Sequence, residues 1–404
     1  MKVTIAGAGI GGLATALALA EAGHDVRVFE AVEDIQPLGV GINLLPHAAR
    51  ILDGLGVLED LLGLGIATRE LAYFNRHGQQ IWTEPRGHFA GFDAPQVSIA
   101  RGDLQDTLLD HARRRLGDDR IVTGQRLTAF RTKKNQAVGT FQSPSGGASD
   151  IASDILICAD GIHSAGRHQM YPGEGAPIYS GRILWRATSI AAPYMMGASM
   201  IMAGHEDQKF VCYPIEPVRH DGLQRINWIA ELRRPLMRNR EDWNREGQIE
   251  DFLPEFESWD FGWLDVPGLI RSAERIYEYP MVDREPIATW TRGLVTLLGD
   301  AAHAMYPIGS NGASQAILDA GAITRALVTS ASAAEALQVY EAERLPPTSA
   351  IVRANRGNGP EQCMQLAELR APQGFNCVDD VFAPGELQAI ADQYKQLTGM
   401  TRRP

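Results

Sequence analysis

A few glycines and acidic residues carry most of the chemistry this sequence can do. Gly7, Gly9 and Gly12 stand at G-x-G-x-x-G spacing in "GAGIGG", with Gly11 inside the same loop. That spacing suits a pyrophosphate. The first glycine permits a tight turn, the second lets backbone approach the phosphates, and the third lets a helix pack against a strand. Glu30 follows roughly twenty residues on, where a carboxylate can accept hydrogen bonds from ribose hydroxyls. An acid there favours an unphosphorylated adenosine ribose, as in FAD or NAD. Asp160 precedes Gly161 at the end of "DILICAD", and Asp300 follows Gly299 at the end of "LVTLLGD". A loop rich in proline and glycine comes next, with Pro307, Gly309 and Gly312.

The elements that must position these groups can be read around them. "KVTIA" has the pattern of a short buried strand, "LATALALAEAG" is alanine-rich and helical with Gly23 as its stop, and "HDVRVFE" is a second strand. Together they predict a β-α-β unit whose helix N-terminus faces the phosphates. The run from Val3 to Ala20 has no charge. A signal peptide or membrane anchor is the competing reading, but the four glycines and the strand-like continuation favour a buried α/β core. "DILICAD" and "LVTLLGD" read as further apolar strands, each with an aspartate at its C-terminal end. Each alone is equally compatible with a structural strand-turn.

The chain has 404 residues and a net charge of −11, with no long basic run, which argues against nucleic acid as a partner. Its four cysteines, Cys158, Cys212, Cys363 and Cys377, form no CxxC pair and match no zinc spacing. They are expected to be reduced thiols in a cytoplasmic protein. No metal site, P-loop or Ser-His-Asp spacing is apparent.

In their order, the G-x-G-x-x-G, Asp-Gly and Gly-Asp motifs resemble those of the single-component FAD-dependent aromatic hydroxylases of the p-hydroxybenzoate hydroxylase type. The resemblance covers essentially the whole chain. "PLGVGIN", "EPRG", "DWNREGQIEDFLPEF", "YPMVDREP" and "MYPIGSNGASQAILD" are similar to the 5-methylphenazine-1-carboxylate 1-monooxygenase subgroup. The resemblance implies tightly but non-covalently bound FAD, NAD(P)H as a transient co-substrate, and O2. FAD is reduced, O2 adds at flavin C4a, and the distal oxygen of the hydroperoxide attacks an electron-rich ring. It further implies that Arg101 lies near the FAD phosphates, Gln105 near the ribityl chain, Val40 and Gly41 along the isoalloxazine, and Leu127 in the cofactor site. Asp160 and Gly161 would serve FAD and NAD(P)H, and Asp300 the ribityl hydroxyls. Backbone N–H groups of Gly312, Ala313 and Ser314 would face the flavin N1–C2=O edge, where a helix dipole favours negative charge. Pro307 and Ile308 would wall the reacting edge. Two departures stand out. Gly166 precedes Arg167 where the family usually has a branched apolar residue, and Cys158 stands where a glycine is common. The first predicts a less rigid Asp160–Gly161 turn.

The middle of the chain changes character. "GRILWRATSI", "KFVCYPI" and "LQRINWIAEL" alternate in strand fashion and predict a mostly antiparallel sheet roofing the flavin. Trp185, Tyr213 and Trp228 are the aromatics available to stack on a flat substrate, with ordinary sheet core as the alternative. Opposite parity means that Trp185 and Arg186 cannot both line one pocket. Trp185 and Tyr213 are the expected substrate contacts. His163 and His303 follow the two motif aspartates, and a structural role suits them better than that of a base.

The expected fold is α/β: a Rossmann-like FAD-binding domain (1–72, 98–180 and 275–355), an inserted substrate domain (73–97 and 181–274), and a C-terminal helical segment (356–404) ending in a short helix and frayed tail. The expected function is hydroxylation of an aromatic or heteroaromatic acid, phenazine- or salicylate-like, with loss of the carboxylate where the attacked ring position bears it. The competing functions are another flavin oxidoreductase, a plain NAD dehydrogenase, or a flavin-binding protein without turnover. A small-molecule substrate, no membrane, and a monomer or homodimer complete the expectation.

Overall fold

The computed structural model describes residues 1–36, 39–235 and 245–398, the last two without their side chains. Pro37 and Leu38 of "PLGVGIN" and the start of "DWNREGQIEDFLPEF" lie outside the described residues.

The charge-free N-terminal run folds as strand Lys2–Ala6, helix Ile10–Glu21 and strand Asp25–Phe29. Val3, Ile5, Val26 and Val28 are almost fully buried, so both strands sit inside the domain. These strands belong to a six-stranded sheet in the order 291–292, 295–297, 155–158, 2–6, 25–29 and 121–122. All its pairs are parallel except the 291–292/295–297 hairpin. Strand Ile155–Cys158 is buried throughout, as a parallel strand covered on both faces must be. Helix Ile10–Glu21 packs against helices Arg101–Leu116 and Gly312–Thr329. Among the described residues no helix is long and apolar enough to cross a membrane.

A second sheet of seven strands runs in the order 277–283, 178–191, 224–233, 208–214, 199–205, 70–74 and 80–85. Its neighbours are antiparallel except 199–205 with 70–74. Edge strand 277–283 and residues 70–72 of the strand next to the other edge are segments assigned above to the cofactor side. Leu71 and Tyr73 alternate with Ala72 and Phe74, so pairing into this sheet extends the buried alternation past the turn before Glu70.

The two faces of this sheet differ. One carries Trp185, Phe210 and Trp228, packed under Phe252, Phe256 and Trp259 from the 249–271 segment. The other carries Leu71, Tyr73, Met200, Met202, Val211 and Tyr213. Helix Glu386–Thr398 closes part of this second face, with Leu387, Ala391 and Tyr394 buried. The expected short C-terminal helix is therefore docked as far as residue 398, and the tail expected to fray, 399–404, lies outside the described residues.

Candidate active site

The glycine loop is built as its spacing predicts. Gly7 has φ +107°, and a Cβ there would lie 2.3 Å from the Ala159 carbonyl oxygen. A Cβ on Gly12 would lie 2.0 Å from the Gly7 oxygen. These two glycines are required by packing. Gly9, the N-cap of the first helix, has nothing within 4 Å of such a Cβ, so the loop opens there onto free space. Gly11 touches Ala316 and Leu298 instead. Glu30 accepts hydrogen bonds from the Ala8 and Val32 amides at 2.7 and 3.0 Å, which fixes its carboxylate beside the loop. The Gln105 amide donates to the Ala8 carbonyl at 3.0 Å.

Asp160 accepts from the Ala165 amide at 2.8 Å through one oxygen, while its other oxygen is buried without a partner. Burial raises its pKa against the hydrogen bonds of the turn. The two departures in this turn are in contact. A Cβ on Gly166 would fall 2.5 Å from the Cys158 Sγ. The cysteine occupies the volume that the glycine vacates, so the space expected to loosen the turn is filled. Arg167, almost fully buried, bonds Glu174 and the Ala301 and Ala302 carbonyls, bolting the Asp160 turn to the Asp300 turn.

Gly299 takes φ +62°, and Asp300 starts the short helix Asp300–His303 with its side chain exposed. Beneath it, Asp319 accepts from His303 and Arg344, both at 2.7 Å, and from the Gly299 amide at 3.1 Å. Burial alone would raise the Asp319 pKa, but His303 and Arg344 hold it below the usual carboxylate range. His303 thus orders the turn, and His163 is exposed.

Helix Gly312–Thr329 begins beside this network. Its N-cap Asn311 makes no side-chain cap, and a Cβ on Gly312 would meet nothing within 4 Å. The first-turn amides of Gly312, Ala313 and Ser314 are therefore left without a side-chain cap, the state in which helix N-terminal amides can serve as anion donors. The Ser314 hydroxyl is occupied, accepting from the Leu45 amide at 3.0 Å. Pro307 is exposed at this opening, whereas Ile308 is buried against Leu184, Tyr279, Met281 and Tyr306.

Arg186 donates to the Gly41 carbonyl at 2.9 Å, and the Gly41 amide donates to Asn227 at 2.6 Å. Gly41 thus ties the cofactor side to the sheet. The Val40 carbonyl accepts from the Arg101 amide at 2.8 Å. Burial lowers the Arg101 pKa; Asp300 offsets this and Arg186 adds to it. Two guanidiniums converge here, and the Arg186 Nε is buried without a partner. Leu127 sits apart, its side chain buried in the core of the cofactor domain.

The expected stacking residues are corrected. Trp185 lies on the far face of the sheet, stacked on Phe252 with ring centroids 4.9 Å apart. Strand parity therefore turns Arg186, not Trp185, toward the cofactor side. Trp228 shares the far face. Tyr213 is on the near face, but its hydroxyl is bonded to Arg186 and Asn43 and burial pushes its pKa up to about 12. It does not line the cleft between sheet and loop.

That cleft is lined by Tyr73, Met200 and Met202 from the sheet, Gly309 and Ser310 from the loop, and Tyr394 from the last helix. It opens into a chamber of about 490 Å³ between the 82–92 segment and the last helix. Sequence reasoning placed the 73–97 segment near the substrate but missed Tyr73, Arg86 and Gln96; the alternation of Leu71 and Tyr73 was the available signal. It also missed His47, between Pro46 and Ala48, whose two ring nitrogens are buried without partners. Burial, with Arg344 and Arg50 nearby, lowers its pKa to about 4, so it is a neutral imidazole near pH 7.

These features fit an anionic dinucleotide: an open glycine cradle, uncapped amides, an orphaned carboxylate oxygen and an orphaned guanidinium nitrogen. The fold and site are those of a flavoprotein monooxygenase. The FAD binding domain family model matches residues 1–355, and the chain belongs to that family. Over 364 residues it is 46% identical to the phenazine 1,6-dicarboxylic acid hydroxylase PhzS of Lysobacter antibioticus, covering 88% of this chain and 89% of that protein. It is 30% identical over 375 residues to the 3-hydroxybenzoate 6-hydroxylase of Polaromonas naphthalenivorans (strain CJ2), covering 89% and 87%. Its fold matches a salicylate hydroxylase substrate complex at TM-score 0.74 and 21% identity, over 100% of this chain and 98% of that one.

Proposed function

We propose that this FAD-dependent monooxygenase hydroxylates a carboxylate-bearing, phenazine-like aromatic ring, using NAD(P)H and O2. Bound FAD supplies the uptake of two electrons from NAD(P)H and the activation of O2. The chain's own residues do the rest. Gly9, the 312–314 amides, Arg101 and Arg186 bind the cofactor, with Glu30 and Asp300 at its hydroxyls. Leu71, Met200 and Met202 keep water from the reacting edge. Pro307 walls that edge, and Ile308 anchors the wall in the sheet. Where the attacked position bears the carboxylate, hydroxylation releases it as CO2. NAD(P)H is a cytoplasmic reductant, and the four free thiols suit that compartment.

The observation that carries this reading is the meeting, on one face of the sheet, of an uncapped helix N-terminus and an apolar cleft with a polar rim. Simultaneous measurement of NAD(P)H oxidation, O2 uptake and product formation with phenazine carboxylates tests it. One NAD(P)H and one O2 per hydroxylated product is expected. NAD(P)H oxidation that yields only hydrogen peroxide with every aromatic acid contradicts it.

A further inference from the structure

The mouth of the cleft holds buried polar groups that the rest of the chain leaves without partners. Tyr73 Oη and Gln96 Oε1 are buried without partners, in residues 0% and 2% exposed. Arg86 faces the same cleft, and its Nε is also buried without a partner. No ion pair neutralises Arg86 among the described residues. Glu84, two residues earlier and nearly fully buried, is paired with Lys395 of the C-terminal helix at 2.6 Å. Glu84, Arg86, Gln96 and Lys395 line both the inner cleft and the outer chamber. They therefore form the neck between the two.

The helix that brings Lys395 is fixed to the loop beside the reacting edge. The Tyr394 hydroxyl donates to Asn355 Oδ1 at 2.8 Å and accepts from the Asn311 side-chain amide at 2.9 Å. Gly309 and Gly359 flank its ring so closely that a Cβ on either would fall within 2.8 Å of it. Lys395 also lies 3.9 Å from Asp392 of its own helix, and Arg86 is the neck cation with no ion pair among the described residues. A guanidinium beside a phenol donor, in an apolar surround, is a match for a carboxylate.

Resting on the reading of the site as one for aromatic acids, we propose that Arg86, with the Tyr73 hydroxyl, binds the substrate carboxylate at this neck. Lys395 screens Glu84 so that the acid can approach. Burial raises the Tyr73 pKa well above its ordinary value, so the phenol keeps its proton as a donor. The C-terminal helix thus forms the fourth wall of the substrate site.

The test uses the FAD-loaded full chain and two probes, phenazine-1-carboxylate and its neutral carboxamide, with dissociation constants read from the flavin absorbance change. Wild type should prefer the acid by roughly tenfold to a hundredfold, the range of a hydrogen-bonded charge. Arg86→Gln should bring the preference to within about twofold, and Arg86→Lys should keep part of it, because charge survives but the planar fork does not. Glu84→Gln should tighten the acid several-fold and leave the amide unchanged, because it removes a buried negative charge from the neck. Flavin content and the thermal midpoint report folding of each variant. An acid preference that survives Arg86→Gln, or a weaker acid in Glu84→Gln, overturns the assignment while leaving the aromatic-acid reading standing. If neither probe perturbs the wild-type flavin nor stimulates NAD(P)H oxidation, the phenazine-like reading fails, and the assignment with it.

Discussion

The two faces of the seven-stranded sheet use similar residues for opposite ends. The far face pairs Trp185, Phe210 and Trp228 with Phe252, Phe256 and Trp259, ring on ring, and leaves the Trp185 indole N–H as its orphaned polar atom. The near face intersperses Leu71, Met200 and Met202 with Tyr73 and Arg186, and it meets loops and open space. The far face is core, where aromatic area stabilises the fold. The near face keeps polar atoms unpaired for a ligand to satisfy. Aromatic content alone does not mark a substrate face; incomplete hydrogen bonding does.

Breaking the far face should have the largest effect on stability. Trp185→Ala removes a fully buried indole and should cost about 3–5 kcal/mol in denaturant unfolding, with KM for the aromatic acid unchanged. A raised KM with intact stability would return Trp185 to the substrate site. Next comes acid. The His47 pKa is about 4 in the folded chain and near 6.5 when unfolded. Below pH 6.5 the unfolded state binds the extra proton. Its contribution is therefore fully present near pH 7.5 and is lost as pH falls toward 4, at most about 3 kcal/mol. In His47→Gln the unfolding free energy should fall less steeply across that window; an unchanged slope contradicts the burial described.

The Asp160 turn is the far face in miniature, held by packing. Gly166→Val should cost about 1–3 kcal/mol by overpacking against Cys158. Cys158→Gly in the same chain should recover most of it, and additive losses in the double variant would show that the two positions are not coupled. The smallest effect is expected on the near face. Tyr213→Phe removes a hydroxyl bonded to Arg186 and Asn43 and should cost roughly 1 kcal/mol. Its reporter is FAD dissociation, which should quicken as Arg186 loses a partner.

Much of the cofactor side is legible in the sequence because it is local. G-x-G-x-x-G, its strand and its helix lie within thirty residues, and Gly7 and Gly12 answer steric demands that the neighbouring backbone imposes. The substrate side is legible only in part. Alternation shows that Trp185 and Arg186 face opposite ways, but which face meets the cofactor depends on what covers the sheet. That cover comes from the aromatic-dense stretch "DFLPEFESWDFGWLD", distant in sequence from the strands it packs on. Tyr394 and Lys395 were hidden for the same reason: they reach the site by docking a helix from the far end of the chain. The match of Cys158 to Gly166 required knowing that a strand end and a helix start touch.

The most direct measurement is anaerobic mixing of the FAD-loaded protein with NADH, and separately NADPH, following the visible flavin absorbance with and without phenazine-1-carboxylate. The account predicts that the acid speeds bleaching many-fold, and that admitting labelled O2 then yields a product carrying one labelled oxygen on the ring. Bleaching that is indifferent to the acid, with no labelled product after air, would contradict it.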